Sequence, residues 1–305
     1  MLSTTHTAVH PRMLRAQSIV KRTKEGLRTS MGGSSSSEVS GEEGAGLRAC
    51  LDELTASLDK LVGTGLEAEL HAELSGLLMN ELAPYLGRVP LVDAFSATDD
   101  GRVVTDQLHD AFVLPLDGNA WVEQVDSWLR SLPSMNALIG VPDACIKATG
   151  RLADRTVDGP IWVLGADHPR VALGLEQAGG KRNITQIDWK PGQSVPETGE
   201  SPALIVLPGL LEAIPDRHAI RLLSGLRSAL APGGCLVASA LVPSEDAAFV
   251  DLVLGWPTHR RKPAQLLDLF ILAGLAIVAD IPSPTPGLVV VAQDKSDAMS
   301  NSSEM

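Results

Sequence analysis

Residues 203–216 of this chain read Ala-Leu-Ile-Val-Leu-Pro-Gly-Leu-Leu-Glu-Ala-Ile-Pro-Asp, and residues 230–239 read Leu-Ala-Pro-Gly-Gly-Cys-Leu-Val-Ala-Ser. Each stretch contains a short continuous apolar run, which is typical of a strand buried on both faces of a parallel sheet. The amphipathic segment 219–230 predicts a helix between them, and Pro-Gly-Gly predicts the turn that follows it. A strand, a helix and a second strand in this order indicate parallel pairing through a right-handed crossover.

The same alternation of strands and helices extends outward from this unit. Apolar runs predict four further strands, at 161–164, 184–187, 275–281 and 288–293. Helical spacing predicts two further helices, at 169–177 and 264–273. The last two strands follow each other through a proline-rich turn, which indicates a hairpin. The predicted fold class is therefore α/β, with a mostly parallel sheet that ends in a C-terminal antiparallel hairpin.

The stretch 203–239 resembles class I S-adenosylmethionine-dependent methyltransferases, in which the wordings "LEHIPD" and "LKPGG" are frequent at the fourth and fifth strands. The resemblance covers roughly residues 160–293 and implies a Rossmann-like sheet whose last strand inserts antiparallel. It also implies S-adenosylmethionine as the cofactor. Residues 254–266, Leu-Gly-Trp-Pro-Thr-His-Arg-Arg-Lys-Pro-Ala-Gln-Leu, are in addition weakly similar to methyltransferases of the hydroxy-fatty-acid methyl ester type.

The N-terminal part of the chain has a different character. Residues 1–30 carry six basic residues and one acidic residue, a composition typical of a solvated tail and also of a transit peptide. Leucines at helical spacing between residues 47 and 82 predict two helices. We expect four segments: a disordered basic tail with a Gly/Ser linker (1–46), a helical region serving as lid, acceptor pocket or dimer interface (47–158), a methyltransferase-like α/β domain (159–294) and a disordered tail (295–305).

Composition excludes several classes of function. The net charge of −12 argues against a nucleic acid or an anionic membrane as the main partner. No run of about 20 apolar residues is present to span a bilayer, so we expect a cytoplasmic protein. The three cysteines are far apart and predict neither a disulfide framework nor a metal site. No metal-ligand spacing and no phosphate-binding glycine motif is present.

Five residues follow predicted strands at positions where the resemblance implies contacts with the cofactor. Gly165 and Asp167 belong to the loop after the first strand, and Asp188 would accept hydrogen bonds from the ribose hydroxyls. Pro208 and Glu212 belong to the loop that lines the pocket near the transferred methyl group. Each position also has a structural interpretation: a tight turn with an N-capping residue at 167 or 168, a surface carboxylate at 188, and a helix N-terminal acid at 212.

Two segments depart from the family pattern. Asp, His and Pro replace the later glycines of the loop 165–170. Residues 189–202 contain three prolines and two glycines, so they hold neither a helix nor a long strand, and the family's third strand is missing. These departures favour a methyltransferase-like pseudoenzyme that serves as a binding or assembly module, which is the alternative to an active enzyme.

The favoured function is an S-adenosylmethionine-dependent methyltransferase acting on a small organic acceptor, either a carboxylate or a hydroxyl. His168 and His259 are the candidate catalytic residues, because imidazole exchanges protons near neutral pH. The basic run Arg260-Arg261-Lys262 is more typical of a solvated approach to a helix, and its alternative interpretation is a site that holds an acidic substrate. The expected partners are a small molecule or a carrier-protein-bound acyl group, and a second copy in a homodimer.

Overall fold

The computed structural model describes residues 10–32, 41–63, 66–86, 89–96, 120–165, 169–190, 192–195 and 199–296. Its contacts divide the chain into two units. Of these described residues, the helical unit comprises those from 10 to 96, 120–132 and 245–257, and the sheet unit comprises those from 133 to 244 and 258–296. Among the described residues, no helix has both the length and the apolar character needed to cross a membrane.

Leucine stripes build the helical unit. Its helices are α1 (Pro11–Gly32), α2 (Gly41–Val62), α3 (Ala68–Leu86), α4 (Pro90–Ser96), α5 (Ala120–Ser131) and α9 (Ala247–Leu252). The buried leucines of α2 and α3 recur at helical spacing and form the core of this unit. Helix α9 packs on both of them. Its Phe249 meets Trp128 of α5 edge to face, with ring centroids 5.1 Å apart.

The prediction of a disordered tail and linker over residues 1–46 is wrong for residues 11–32, which form α1, and for residues 41–46, which begin α2. The buried positions of α1 are Ala16, Ile19, Val20 and Leu27, a helical stripe that contacts α2 and α3. Lys24 Nζ lies 2.5 Å from the Glu81 carboxylate, so acidic residues of neighbouring helices balance part of the basic charge. The basic composition of this segment obscured a weak apolar stripe. That stripe stabilises a helix only when it packs against α2 and α3. Residues 1–9 and 33–40, and the expected tail from 297 onward, lie outside the described residues.

Six strands form one sheet in the order β2-β1-β3-β4-β6-β5. The strands are β1 (Ile161–Leu164), β2 (Ile184–Ile187), β3 (Leu204–Pro208), β4 (Cys235–Leu241), β5 (Leu275–Pro282) and β6 (Gly287–Asp294). The first four pair in parallel, whereas β6 inserts antiparallel between β4 and β5. The predicted fold class is confirmed. β3 and β4 are buried along their whole length, as their continuous apolar runs predicted.

Helices pack on the sheet through two separate hydrophobic clusters. These helices are α6 (Pro133–Ala153), α7 (Pro169–Gly179), α8 (Asp216–Ala229) and α10 (Pro263–Leu272). α6 starts well before the Pro142 that it contains, and it packs on β3, β4 and β6. Residues 133–158 therefore group with the sheet, although we expected them in the helical region.

The described part of residues 189–202 contains no strand or helix, in agreement with its proline content. Trp189 is buried, and its indole Nε1 donates to the Gln193 carbonyl at 3.1 Å. The Lys190 backbone N donates to Gln193 Oε1 at 3.0 Å, which closes a compact turn after β2. Among the described strands, β2 is thus the last one on its side of the sheet.

Candidate functional site

The carboxyl ends of β1 and β2 meet at one edge of the sheet. Leu164 pairs with Ile187 in the parallel register, so Gly165 and Asp188 leave adjacent strands at the same level. Asp188 is exposed, and its carboxylate is open to a ligand. Ligands of open α/β sheets bind beyond this edge, so the candidate site begins at these two residues.

Gly165 has a conformation that requires glycine. Its φ is +78°, and a Cβ at this position would lie 3.0 Å from the Cβ of Leu210. A side chain here would therefore strain the backbone and crowd the loop that follows β3. Asp167 and His168, the other candidates from this loop, lie outside the described residues and stay predictions.

The end of β3 forms a second sharp turn beside the first. Pro208 is the last residue of the strand, and Gly209 follows it with a φ of +74°. The Gly209 backbone N lies 3.3 Å from the Ser239 carbonyl oxygen and 3.2 Å from Ser239 Oγ on β4. A Cβ at position 209 would stand 3.1 Å from Glu212 Oε1. The turn thus folds the Glu212 carboxyl group back toward the strand end.

Glu212 is a buried carboxyl group. It belongs to a 3-10 turn, Leu211–Ala213, and only 7% of the residue is exposed. Its Oε2 is buried and has no hydrogen-bond partner in the described part of the chain. Because α8 begins at Asp216, Glu212 is not the helix N-terminal acid of the alternative interpretation.

Burial controls the protonation of Glu212. Loss of solvation raises the pKa of its carboxyl group to about 8. Hydrogen bonds from backbone N–H groups, at Glu212 itself and at Leu241, oppose this rise in pKa, as do the charges of Arg260 and Arg261. Near neutral pH the group is therefore mostly protonated, and its ionised fraction is a base of a strength suited to proton transfer.

Two of the three basic residues after Trp256 turn toward the protein, since Arg261 is buried and Arg260 half-buried, whereas Lys262 is exposed. Arg261 is 5% exposed, and its guanidinium donates to the carbonyl oxygens of Leu211 and Ile214, each at 2.6 Å. Arg260 Nη1 donates to Ser134 Oγ at 2.6 Å and to Ser244 Oγ at 2.8 Å. The interpretation as a solvated approach to a helix is wrong for Arg261.

His259 contacts Glu212 through a hydrogen bond between their backbones. Its backbone N donates to the Glu212 carbonyl oxygen at 2.7 Å. The imidazole is largely exposed; its partial burial, followed by the charge of Arg261, lowers the pKa of the ring, while Asp216 raises it. The neutral ring can accept a proton near neutral pH.

Two residues of this region were missed by sequence reasoning. Ser239 is fully buried in β4, where it receives the Gly209 N–H. Its signal was available, because it is a lone hydroxyl within the apolar run Cys235–Leu241. Cys145 of α6 is also fully buried, and desolvation raises the pKa of its thiol to about 12, against a hydrogen bond with Ser239 that lowers it.

A large cavity lies elsewhere in the sheet unit. Its volume is about 650 Å³, and its walls come from α8, from Trp162 and from the described segments 192–195 and 199–201. None of Gly165, Asp188 and Glu212 lines it. The cavity and the candidate residues at the strand ends therefore lie in different places. We place the candidate site at the strand ends, because the buried Glu212 carboxyl group and the glycine turns lie close together there. In the described part of the chain, no group of three or more His, Cys, Asp or Glu residues could hold a metal ion.

Comparisons with known proteins give distant structural likenesses. No protein-family model and no curated protein matches the chain. OxaC, solved with S-adenosylhomocysteine and oxaline, is 13% identical with a TM-score of 0.45, over 93% of this chain and all of that one. The pyocyanin biosynthetic protein PhzM is 16% identical with a TM-score of 0.40, over 92% of this chain and 95% of that one.

CalO1, a methyltransferase in calicheamicin biosynthesis, is 16% identical with a TM-score of 0.39, over 92% of this chain and 94% of that one. The fold is a Rossmann-like, mostly parallel sheet in which β6 inserts antiparallel. This is the arrangement that the resemblance to class I methyltransferases predicted.

Proposed function

We propose that this protein is an S-adenosylmethionine-dependent methyltransferase that acts on a small organic acceptor, a carboxylate or a hydroxyl. One observation carries the proposal: Gly165 and Asp188 leave adjacent parallel strands in register, at the edge where Glu212 follows the next strand. The three groups offer a glycine turn, an exposed carboxylate and a buried carboxyl group that can carry a proton.

The residues present fit the ribose part of such a cofactor, because the two oxygens of the exposed Asp188 carboxylate match a ribose cis-diol. Gly165, whose positive φ favours glycine, leaves the adjacent turn without side-chain atoms at that position. When bound, S-adenosylmethionine supplies an electrophilic methyl group on a sulfonium. Methyl transfer needs chiefly that the acceptor be held in line with that group, so binding and orientation are the main tasks of the protein.

Glu212 gives the site a group that can move a proton. With a pKa of about 8, roughly a tenth of the carboxyl groups are ionised at neutral pH, and Oε2 of this fraction can accept the proton of a hydroxyl acceptor. A carboxylate acceptor is already ionised and needs no base. His259 is the second proton acceptor that we propose, and its lowered pKa keeps the ring neutral.

Calorimetric titration with S-adenosylmethionine and S-adenosylhomocysteine tests the proposal. We expect saturable binding, weakened at least tenfold by Asp188→Ala because the ribose loses a charged hydrogen-bond partner. Asp280→Ala is the matched control, since Asp280 is an exposed aspartate on β5, at the opposite side of the sheet. Absence of heat and of a thermal shift at millimolar ligand would refute cofactor binding.

The alternative is a pseudoenzyme that keeps the sheet as a binding or assembly module. The segment after β2 favours it, because its described part adds no further strand and its Trp189 is buried rather than open to an adenine ring. The same titration separates the two functions, since a pseudoenzyme of this kind does not bind the cofactor. A carrier-bound acyl acceptor, a homodimer and a cytoplasmic location remain predictions.

A further inference from the structure

Arg261 is bonded to both ends of the turn that carries Glu212. Its Nη1 donates to the Leu211 carbonyl at 2.6 Å and to the His259 carbonyl at 3.2 Å. Its Nη2 donates to the Ile214 carbonyl at 2.6 Å, and its Nε donates to Asp216 Oδ1 at 2.8 Å. The nearly buried guanidinium of Arg261 thus links Leu211, which precedes Glu212, to Ile214 and Asp216, which follow it.

The turn itself has little internal support. It is a three-residue 3-10 segment, and the Ala213 N–H donates to the Leu210 carbonyl at 3.2 Å. A single turn of this kind is marginal by itself, since its hydrogen bonds are few and poorly aligned. Burial of Leu211 and Ile214 in the hydrophobic core anchors the turn from one side. The segment 259–261 adds hydrogen bonds from outside the turn, because the His259 N–H bonds the Glu212 carbonyl and Arg261 bonds the carbonyls on either side.

We propose that Arg261 is a positioning residue, which clamps residues 211–214 and thereby holds the Glu212 carboxyl group buried at the end of β3. Its importance for methyl transfer rests on the proposed function, whereas the clamp does not. Arginine suits the task because its planar fork offers five N–H donors at fixed angles, enough for three carbonyls and a carboxylate. A lysine ammonium is one point of charge with three donors and cannot reach both ends of the turn in the same geometry.

Removal of Arg261 should change the pKa of Glu212, and the direction of that change depends on how Arg261 acts on the carboxyl group. Arg260 and Arg261 lower the pKa of Glu212, and Cys145 of α6 interacts with its charge. Asp216 and His259 face Arg261 itself. If Arg261 acted by charge alone, its removal would raise the pKa of Glu212 further. If Arg261 holds the turn, its removal releases the carboxyl group to water, and the pKa falls toward its ordinary value.

The experiment is an NMR titration of protein labelled with ¹³C at the glutamate carboxyl carbons. The signal that disappears in Glu212→Gln assigns the residue. We expect the pKa of Glu212 to fall by at least about one unit in Arg261→Met, because release from the interior removes most of the desolvation. Arg217→Met, an exposed arginine of α8, is the control and leaves the titration unchanged. An unchanged or raised pKa in Arg261→Met would overturn the proposal.

Arg261→Lys keeps the proposal falsifiable if Arg261→Met does not fold. In this variant, hydrogen exchange at the amides of Ala213 and His259 is expected to be at least about tenfold faster than in the wild type, since charge-assisted hydrogen bonds restrain the opening of the turn. Unchanged exchange at both amides would contradict the clamp. Neither readout uses a methyl donor or an acceptor, so a failure of the proposed function, seen by calorimetry, is distinguishable from a failure of this inference.

Discussion

Replacement of Glu212 by glutamine should remove a pH dependence from the stability of the protein. The pKa of the carboxyl group is about 8 in the folded protein, against an ordinary value of 4.5 for a glutamate in the unfolded chain. Below the lower value, both the folded and the unfolded state hold the proton. Between the two values the unfolded state ionises while the folded state keeps its proton, so the free energy of unfolding falls as the pH rises.

The size of the effect follows from the pKa difference of about 3.5 units. Each unit corresponds to about 1.4 kcal/mol, so the group costs up to about 5 kcal/mol of stability once the pH passes 8. Glutamine has the same shape and cannot ionise. The wild type should therefore lose about 4 kcal/mol relative to Glu212→Gln between pH 5 and pH 8.

Urea unfolding of both proteins at several pH values across this range measures the difference. Glu176→Gln is the control, because Glu176 is an exposed glutamate of α7 and its replacement leaves the pH dependence of the wild type in place. Parallel pH profiles for the wild type and Glu212→Gln would refute the reasoning. That result would mean that the carboxyl group is hydrated or ionised in the folded protein.

Two further predictions concern the stability contributed by Gly165 and the reactivity of two cysteines, Cys50 and Cys145. Gly165→Ala should lower stability by about 1–3 kcal/mol in urea unfolding, because alanine is strained at this φ. Gly199→Ala, whose Cβ meets nothing within 4 Å, should stay close to the wild type, and an equal loss in both would contradict the argument. A thiol reagent at pH 8 should modify the half-buried Cys50 well before Cys145, whose pKa burial raises to about 12. Mass spectrometry locates the labelled cysteine, and equal labelling in the native state would show that the interior around Cys145 opens readily.

The strands were predictable because each one is a local pattern. The runs at 161–164 and 235–241 are apolar throughout and form β1 and β4 with the same bounds. The antiparallel end of the sheet was equally predictable, since the two last strands follow each other through a short turn. Helix α1 was not, because its apolar residues stabilise a helix only when α2 and α3 cover them.

The candidate site was predictable only in part. The positions of Gly165, Asp188 and Pro208 at strand ends were predictable, because each follows or ends a recognisable strand and parallel pairing brings strand ends to one edge. The environment of Glu212 was not visible, since it depends on residues far away in the chain, among them Cys145 and Arg261.

By itself, the sequence determined the order of the strands and helices and the edge of the sheet at which chemistry should be sought. Those features follow from periodicity and from turn residues, which act over a few positions. Only the tertiary structure decided that Glu212 holds its proton near neutral pH and that Arg261 faces inward. Burial and ion pairing depend on groups brought together from distant parts of the chain, and the free energy of a charge depends on that surrounding rather than on its neighbours in sequence.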